Sequence, residues 1–277
     1  MLSVSAVQTR PHTHQSRCEI VERVILAMRS RTAEHMSLQD MADLACLSPF
    51  HFNRIFHQTT GITPTQFLYA IRLEKAKRLL LTSSLTVTEI CFEVGYNSLG
   101  TFIYRFTQFV GVSPTHFRSL ASNMSVSDFR KLVTADHQLQ GKGSATASGV
   151  HGRIYCPSSF TGVIFVGLFD MRIPQKRPVA GTVLMQVDHY DFGICPNGRY
   201  YVMAAGLPFS LDPMTYWLPD PSTLLVGIGN DLLLVQDNQK VRSINVTLRP
   251  TNIFDPPILI SLPALLANDS NALHGES

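Results

Sequence analysis

Up to about residue 122, apolar residues recur at the three- and four-residue spacing of amphipathic helices, between short Ser, Thr and Pro punctuation. After residue 149 the pattern changes to short β-branched and aromatic runs parted by Gly, Pro, Asn and Asp. These are GVHGRIYC (149–156), TGVIFVGLF (161–169), VAGTVLMQV (179–187), YDFGICPNGRYYVMAAG (190–206), STLLVGIG (222–229) and DLLLVQDNQKVRSINVTL (231–248). Helices first and strands second argue against a parallel α/β sheet and for two separate domains. The predicted fold class is therefore multidomain, α then β: an all-α N-terminal part and an all-β antiparallel sandwich of roughly 110 residues. The expected boundaries are a disordered N-terminus (1–16), a helical domain (17–121), a linker (122–148), the sandwich (149–262) and a tail (263–277). Asn197-Gly198 predicts a hairpin, and Asp237-Asn238 a second, weaker one. The alternation over Val241–Leu248 suits a half-buried last strand, which at an edge could join two protomers.

The helical half contains an internal repeat. SPFHFNRIFHQTTGITPTQF (48–67) and SLGTFIYRFTQFVGVSPTHF (98–117) align at an offset of 50, sharing Ser48/Ser98, Phe52/Phe102, Phe56/Phe106, Gly61/Gly111, Pro64/Pro114 and Phe67/Phe117. Each copy follows a capping-box signal, Ser37-Leu-Gln-Asp40 or Thr86-Val-Thr-Glu89. The unit reads as helix, tight turn, helix, Gly stop, and a new helix opened by Thr63-Pro64 or Ser113-Pro114.

At 100° per residue the helix after Ser48 places Phe52, Ile55, Phe56 and Thr59 on one side and Phe50, Asn53, Arg54 and His57 on the other. The second set suits a major groove: Arg can fork onto guanine, Asn onto adenine, and a ring can meet a thymine methyl. Taken singly, Phe50 could pack on a neighbouring helix and Arg54 could make a surface ion pair. The constellation on a repeated helix-turn-helix pattern favours base reading. The equivalent face of the second copy is Gly100, Tyr104 and Thr107, flanked by Thr101, Ile103 and Gln108, and it has few forked donors.

The helical half resembles the AraC/XylS family of transcriptional regulators over about residues 18–121. The resemblance is carried by Leu38-x-x-Met41-Ala42, Ser48-Pro49-x-x-Phe52-x-Arg54-x-Phe56, Gly61-x-Thr63-Pro64, Arg72-Leu-Glu-Lys75-Ala76-x-Arg78-Leu79-Leu80, Ile90-x-x-x-Val94-Gly95-Tyr96-x-Ser98, Phe102-x-x-x-Phe106 and Gly111-x-Ser113-Pro114-x-x-Phe117-Arg118. It implies a tandem helix-turn-helix, the two motifs joined by one long helix (about Pro64–Leu81) and set into successive major grooves roughly 34 Å apart. It implies base contacts from Phe50, Asn53, Arg54, His57, Thr101 and Tyr104, and backbone contacts from Ser48, Arg72, Lys75, Ser98 and Arg105. The first motif then specifies sequence and the second mainly anchors. The implied partner is double-stranded promoter or operator DNA, with RNA polymerase and a second copy of the chain as further candidates. Three departures stand out. Cys46 occupies a turn position usually held by Gly, Tyr104 replaces a frequent Arg, and the unit comes first in the chain rather than last.

The strand half resembles a carboxypeptidase-regulatory-like or transthyretin-like sandwich over about 149–250. The carrying residues are Gly149-Val-x-Gly152-x-Ile154, Tyr190-x-Phe192, Cys195-Pro-Asn-Gly198-x-Tyr200-x-Val202 and Ile244-x-Val246-x-Leu248. The resemblance implies a non-catalytic module for dimerisation or protein docking, with a ligand sensor as the lesser reading. Tyr216 and Trp217 either form an exposed contact patch or cap the core.

Charge adds to this picture. Residues 1–122 hold 12 Lys+Arg against 8 Asp+Glu, and residues 123–277 hold 11 against 12, so the basic excess lies in the helical half. The five cysteines show no C-x-x-C pair, which speaks against a disulfide framework or zinc ribbon and for a reducing compartment. No secretory signal or apolar run of membrane-spanning length is read, and a cytoplasmic location is expected. No P-loop, G-x-S-x-G, H-E-x-x-H or G-x-G-x-x-G occurs, and His12-x-His14 alone shows ligand spacing. No enzyme activity, cofactor or metal is expected. The alternatives are a DNA-repair or other enzyme carrying an AraC-like unit, or a non-specific DNA-architectural protein. Repair would need a Pro-Cys-His-Arg context that neither Cys156-Pro157 nor Cys195-Pro196 provides.

Overall fold

The computed structural model describes residues 11–125, 127–129, 131, 138–139, 149–229, 232–236 and 242–265. Two compact units divide the chain: Met1–Arg72 with Asn252–Pro256, and Leu73–Thr251 with Pro257–Ser277.

The first unit contains α1 (Pro11–Ser30), α2 (Leu38–Leu44), α3 (Pro49–Thr60) and the start of α4 (Pro64–Thr82). Helix α1 begins at Pro11, inside the stretch expected to be disordered. It packs on α2 and α3 and buries Val21, Val24, Ile25 and Met28. Ser37 starts α2 as a capping box: its Oγ accepts from the Asp40 N–H at 3.2 Å, and its own N–H donates to Asp40 Oδ2 at 2.7 Å. That backbone N–H holds the Asp40 carboxyl below its ordinary value. Cys46 closes the turn at φ 55, so it adopts the left-handed backbone despite its Cβ. Phe52, Phe56 and Phe67 form an edge-to-face ladder with centroids 5.6 and 5.5 Å apart.

The second unit repeats this construction in α5 (Val87–Glu93), α6 (Leu99–Val110) and α7 (Pro114–Asn123). Thr86 and Glu89 form the second capping box, Gly95 takes the turn at φ 81, and Phe102, Phe106 and Phe117 stand 5.8 and 5.7 Å apart. The Arg118 guanidinium donates to Leu80 O at 2.8 Å and Leu85 O at 2.6 Å, fixing the end of α4 against the loop before α5.

The same unit holds eleven strands among the described residues: β1 (Gln138–Leu139), β2 (Gly149–Tyr155), β3 (Gly162–Phe169), β4 (Ala180–Leu184), β5 (His189–Ile194), β6 (Gly198–Pro208), β7 (Leu225–Ile228), β8 (Leu233–Val235), β9 (Arg242–Ser243), β10 (Val246–Thr247) and β11 (Arg249–Pro250). A short helix, α8 (Met214–Trp217), lies between β6 and β7. The larger sheet runs β1-β4-β3-β6-β7-β11 with β8 on β6, and the smaller runs β10-β2-β5 with β9 on β2. Every residue of β3 is buried, because both faces of the large sheet are covered. Ile164, Val166, Leu168 and Val202 share a core with Val150, Ile154, Tyr190 and Phe192 of the small sheet. Val163, Phe165, Ala205 and Leu207 point the other way, into a cluster with Phe129, Tyr216, Ile260, Leu262 and Leu265.

Two expectations are corrected. The sheets are mixed rather than all antiparallel: β9 and β10 run parallel to β2, with Val150 opposite Arg242 and Ile154 opposite Val246. These partners are far apart in the chain, so no hairpin dictates their direction. Asn197-Gly198 closes no hairpin either. β5 pairs with β2 and β6 with β3, so this turn carries the chain from one sheet to the other. The last strand expected within Val241–Leu248 is observed as two short pieces, β9 and β10, both paired with β2, and β10 stands at the edge of the smaller sheet. Asp237-Asn238 and the Gly, Ser and Ala run of the expected linker lie outside the described residues. Phe129 and β1, within the same expected linker, are described: Phe129 is buried and β1 pairs with β4.

Candidate nucleic-acid interface

Ser48 caps α3, its Oγ accepting from the His51 N–H at 3.4 Å, and Pro49 takes the first helical position, where a missing N–H costs nothing. Phe52, Ile55 and Phe56 are buried, and the opposite face is thereby turned outward. On that face Phe50 is 82% exposed, Arg54 and His57 are exposed, and Asn53 is partly so. All four lie within two helical turns at positions i, i+3, i+4 and i+7, and so form one stripe. A ring left so open to water has no packing role within this unit.

Helix α6 is built on the same plan, with Ser98 Oγ accepting from the Thr101 N–H at 3.4 Å and Gly111 stopping the helix at φ 99. The positions equivalent to Phe50, Asn53, Arg54 and His57 are Gly100, Ile103, Tyr104 and Thr107. Tyr104 is 66% exposed, and Thr101 is exposed. Thr107 donates its hydroxyl to Ile103 O at 2.8 Å, so it uses its donor within the helix. A Cβ at Gly100 would meet nothing within 4 Å, so packing does not require glycine there. Arg105 is partly exposed at the border of the buried side.

The expected backbone contacts fare unequally. Ser48 and Ser98 are caps at least partly open to solvent. Arg72 is only 7% exposed; its Nε donates to Thr32 O at 3.1 Å and its Nη2 to Glu34 O at 2.7 Å. Its donors serve the turn after α1, and this corrects its reading as a phosphate ligand. Lys75 pairs with Glu93, Nζ to Oε1 at 2.8 Å, so a phosphate would have to compete with a carboxylate for it.

Tyr216 and Trp217 are buried, which excludes the exposed aromatic patch. They cap the β region with helical partners: Trp217 lies edge to face on Phe117, and Tyr216 stacks on Phe129 at 3.8 Å. Sequence reading also missed the loop between β3 and β4, where the Lys176 N–H donates to Phe109 O at the end of α6. The only local signal was the basic pair Lys176-Arg177 between two prolines.

Residues 41–119 match the helix-turn-helix domain family. This segment is a helix-turn-helix domain of the AraC type. Within 98 residues the chain is 34% identical to an uncharacterised HTH-type transcriptional regulator of Haemophilus influenzae, covering 35% of this chain and 33% of that protein. It is 26% identical over 110 residues to the HTH-type transcriptional activator AarP of Providencia stuartii, 40% of this chain and 81% of that one. A third relative, 30% identical over 88 residues, is the bifunctional transcriptional activator/DNA repair enzyme AdaA of Bacillus subtilis, 32% of this chain and 42% of that one. The chain spans 33% of the length of the first of these relatives and 42% of the third.

Burial pushes the Cys195 thiol up to about 11, and burial also raises Cys91 and Cys156, so these sulfurs stay protonated at neutral pH and are poor nucleophiles. Among the described residues no group of three or more His, Cys, Asp and Glu could hold a metal ion, and no helix is long and apolar enough to cross a membrane.

Proposed function

We propose that this chain is a sequence-specific regulator of transcription whose two helical pairs, α2–α3 and α5–α6, act as tandem helix-turn-helix motifs on promoter or operator DNA. The observation that carries this reading is the outward stripe of Phe50, Asn53, Arg54 and His57 on a helix whose other face is fully packed. Arg54 and Asn53 supply forked hydrogen bonding to base edges, and Phe50 an apolar contact to a thymine methyl. Helix α6 anchors more than it reads. Its stripe of Gly100, Ile103, Tyr104 and Thr107 offers no forked donor, and the bare backbone at Gly100 suits close approach to a sugar-phosphate chain. Ser48, Ser98 and Arg105 would make backbone contacts.

We assign the chain no catalytic role, and the β region serves as a docking or dimerisation body. RNA polymerase is the partner that an activator would need. In vitro selection of bound duplexes by the full-length chain tests the reading. A defined motif with its information concentrated in one segment is expected, whereas recovery of unbiased sequence would overturn it.

A further inference from the structure

The β3–β4 loop, residues 170–179, is fastened to the end of α6. Lys176 N–H donates to Phe109 O at 3.0 Å, and Ser261 N–H donates to Val110 O at 3.1 Å, so two separate segments of the β region close the last turn of that helix. The loop is also held from within. Pro174 O accepts from the N–H groups of Leu259 and Ile260 at 3.1 and 3.2 Å, Ile173 is buried, and the buried Gln175 donates from its N–H to Ile173 O and from its amide to Met171 Sδ. Lys176 sits at φ 62, a left-handed backbone that a residue with a Cβ adopts at a cost, which packing elsewhere must over-determine.

This pinned loop carries Arg172, Lys176 and Arg177 against a single acid, Asp170. Arg172 and Arg177 are exposed and Lys176 partly so. The Arg172 guanidinium lies over the Tyr201 ring, 5.6 Å from its centre, a cation–π contact that holds the charge in place. Arg105 precedes Phe109 by one helical turn and so stands on the same side of α6. The loop's three cations are thus carried on a segment fastened to the last turn of the helix that bears Arg105 and Tyr104.

We propose that the β3–β4 loop is a third DNA-contacting element, in which Arg172, Lys176 and Arg177 bind phosphates of the same duplex that meets α6. The proposal rests on the reading of α3 and α6 given under Proposed function. Phosphates demand cations at fixed positions and no particular base, which suits a rigid loop beside a helix poor in charge. It also gives the β region a direct part in binding.

The test compares the full-length chain with the triple variant R172Q/K176G/R177Q on a duplex selected by the wild-type chain. Glycine keeps the left-handed backbone at position 176. The slope of log Kd against log salt is expected to fall by about two to three units, at about 0.9 for each phosphate that the variant leaves unneutralised, while the selected motif stays the same. In the wild type, trimming the duplex flush with the α6 end of the motif is expected to lower the slope equally. An unchanged slope in a variant that melts like the wild type overturns the proposal. If the triple variant does not fold, R172Q and R177Q singly replace it: a fall of about 0.9 in each supports the loop's role, and no change in either overturns it. A wild-type chain that selects no duplex would remove the underlying DNA-reading proposal as well, whereas normal wild-type selection with unchanged variants removes only the loop.

Discussion

The Phe117 ring of α7 meets the Trp217 indole edge to face, 5.3 Å between centroids and 83° between planes. Both side chains are essentially fully buried, Trp217 at 1% exposure, and the pair extends the Phe102–Phe106–Phe117 ladder from the helix-turn-helix unit into the β region. The β region therefore does not end at its own sheets, because its single tryptophan is completed by a helix of the other fold. Trp217→Ala and Phe117→Ala are each expected to cost about 3–5 kcal/mol. In the double variant the costs should fall short of additivity by about 0.5–1.5 kcal/mol, the part that belongs to the ring pair. Urea unfolding of the three variants measures this, and strict additivity would place the rings in independent environments.

Arg54→Ala is expected to cost about 1–3 kcal/mol on the selected site and to relax preference at one or two base pairs. Tyr104→Ala should lower affinity while leaving the motif intact, since the α6 stripe offers shape and a ring rather than forked donors. Repeating the selection with each variant separates the two effects, and equal weakening of base preference in both would refute the division of labour.

Arg72→Ala should behave as a folding variant. Its guanidinium satisfies the carbonyls of Thr32 and Glu34 from a buried position, and each such charged hydrogen bond contributes about 1.5–3 kcal/mol. A lowered melting temperature with an unchanged salt slope of DNA binding is expected. A normal melt with a slope reduced by about one unit would return Arg72 to the phosphate-binding set.

The repeat at Ser48/Ser98, both capping boxes and the outward stripe of α3 were legible in the sequence because they depend on i to i+4 relations within one helix, and such relations can be read directly from residue order. Arg72 could not be placed that way, because its partners lie 38 and 40 residues earlier and a basic residue on a long helix looks the same whether it faces phosphate or carbonyl oxygen. Asn197-Gly198 failed for a related reason. The dipeptide specifies a tight turn, but whether the flanking strands pair with each other depends on which sheet needs an edge. The Lys176–Phe109 hydrogen bond had no local signal at all, since it joins segments that are 67 residues apart.

Cys46→Gly is expected to stabilise the chain by about 0.5–1 kcal/mol. At φ 55 the Cβ of an L-residue crowds the following carbonyl, at roughly 1–2 kcal/mol, while glycine gives back part of that gain through the greater freedom of its unfolded chain. Cys46 is exposed and so has little packing to lose. Thermal unfolding of the variant checks this, and a lower melting temperature would mean that the thiol makes an interaction worth more than the strain.

Lys77 gives a pH-dependent prediction. It is buried on α4 with its Nζ 3.2 Å from Ile258 O, and burial lowers its pKa from 10.5 to about 8, with Glu74 opposing the shift. At pH 7 the ammonium is charged in both the folded and the unfolded chain, and the folded state bears the full cost of burying it. Between pH 8 and 10.5 the folded chain has released this proton while the unfolded chain still holds it, so stability rises with pH across that window. Above pH 9 the Cys195 thiol, whose pKa is pushed up to about 11, works the other way: the unfolded chain loses its proton first and stability falls. Burial also raises Tyr190, Cys91 and Cys156, which act in the same direction as Cys195, so the lysine contribution must be isolated by difference. Lys77→Met keeps most of the length of the side chain without its charge. It should be more stable than the wild type at pH 7 by about 3 kcal/mol at most, at about 1.36 kcal/mol per pH unit, and its advantage should disappear by about pH 10.5. Urea unfolding of both proteins at several pH values gives the difference curve directly. A difference independent of pH would mean that Lys77 keeps its proton in the folded state, held by the Ile258 carbonyl and Glu74 against the cost of burial.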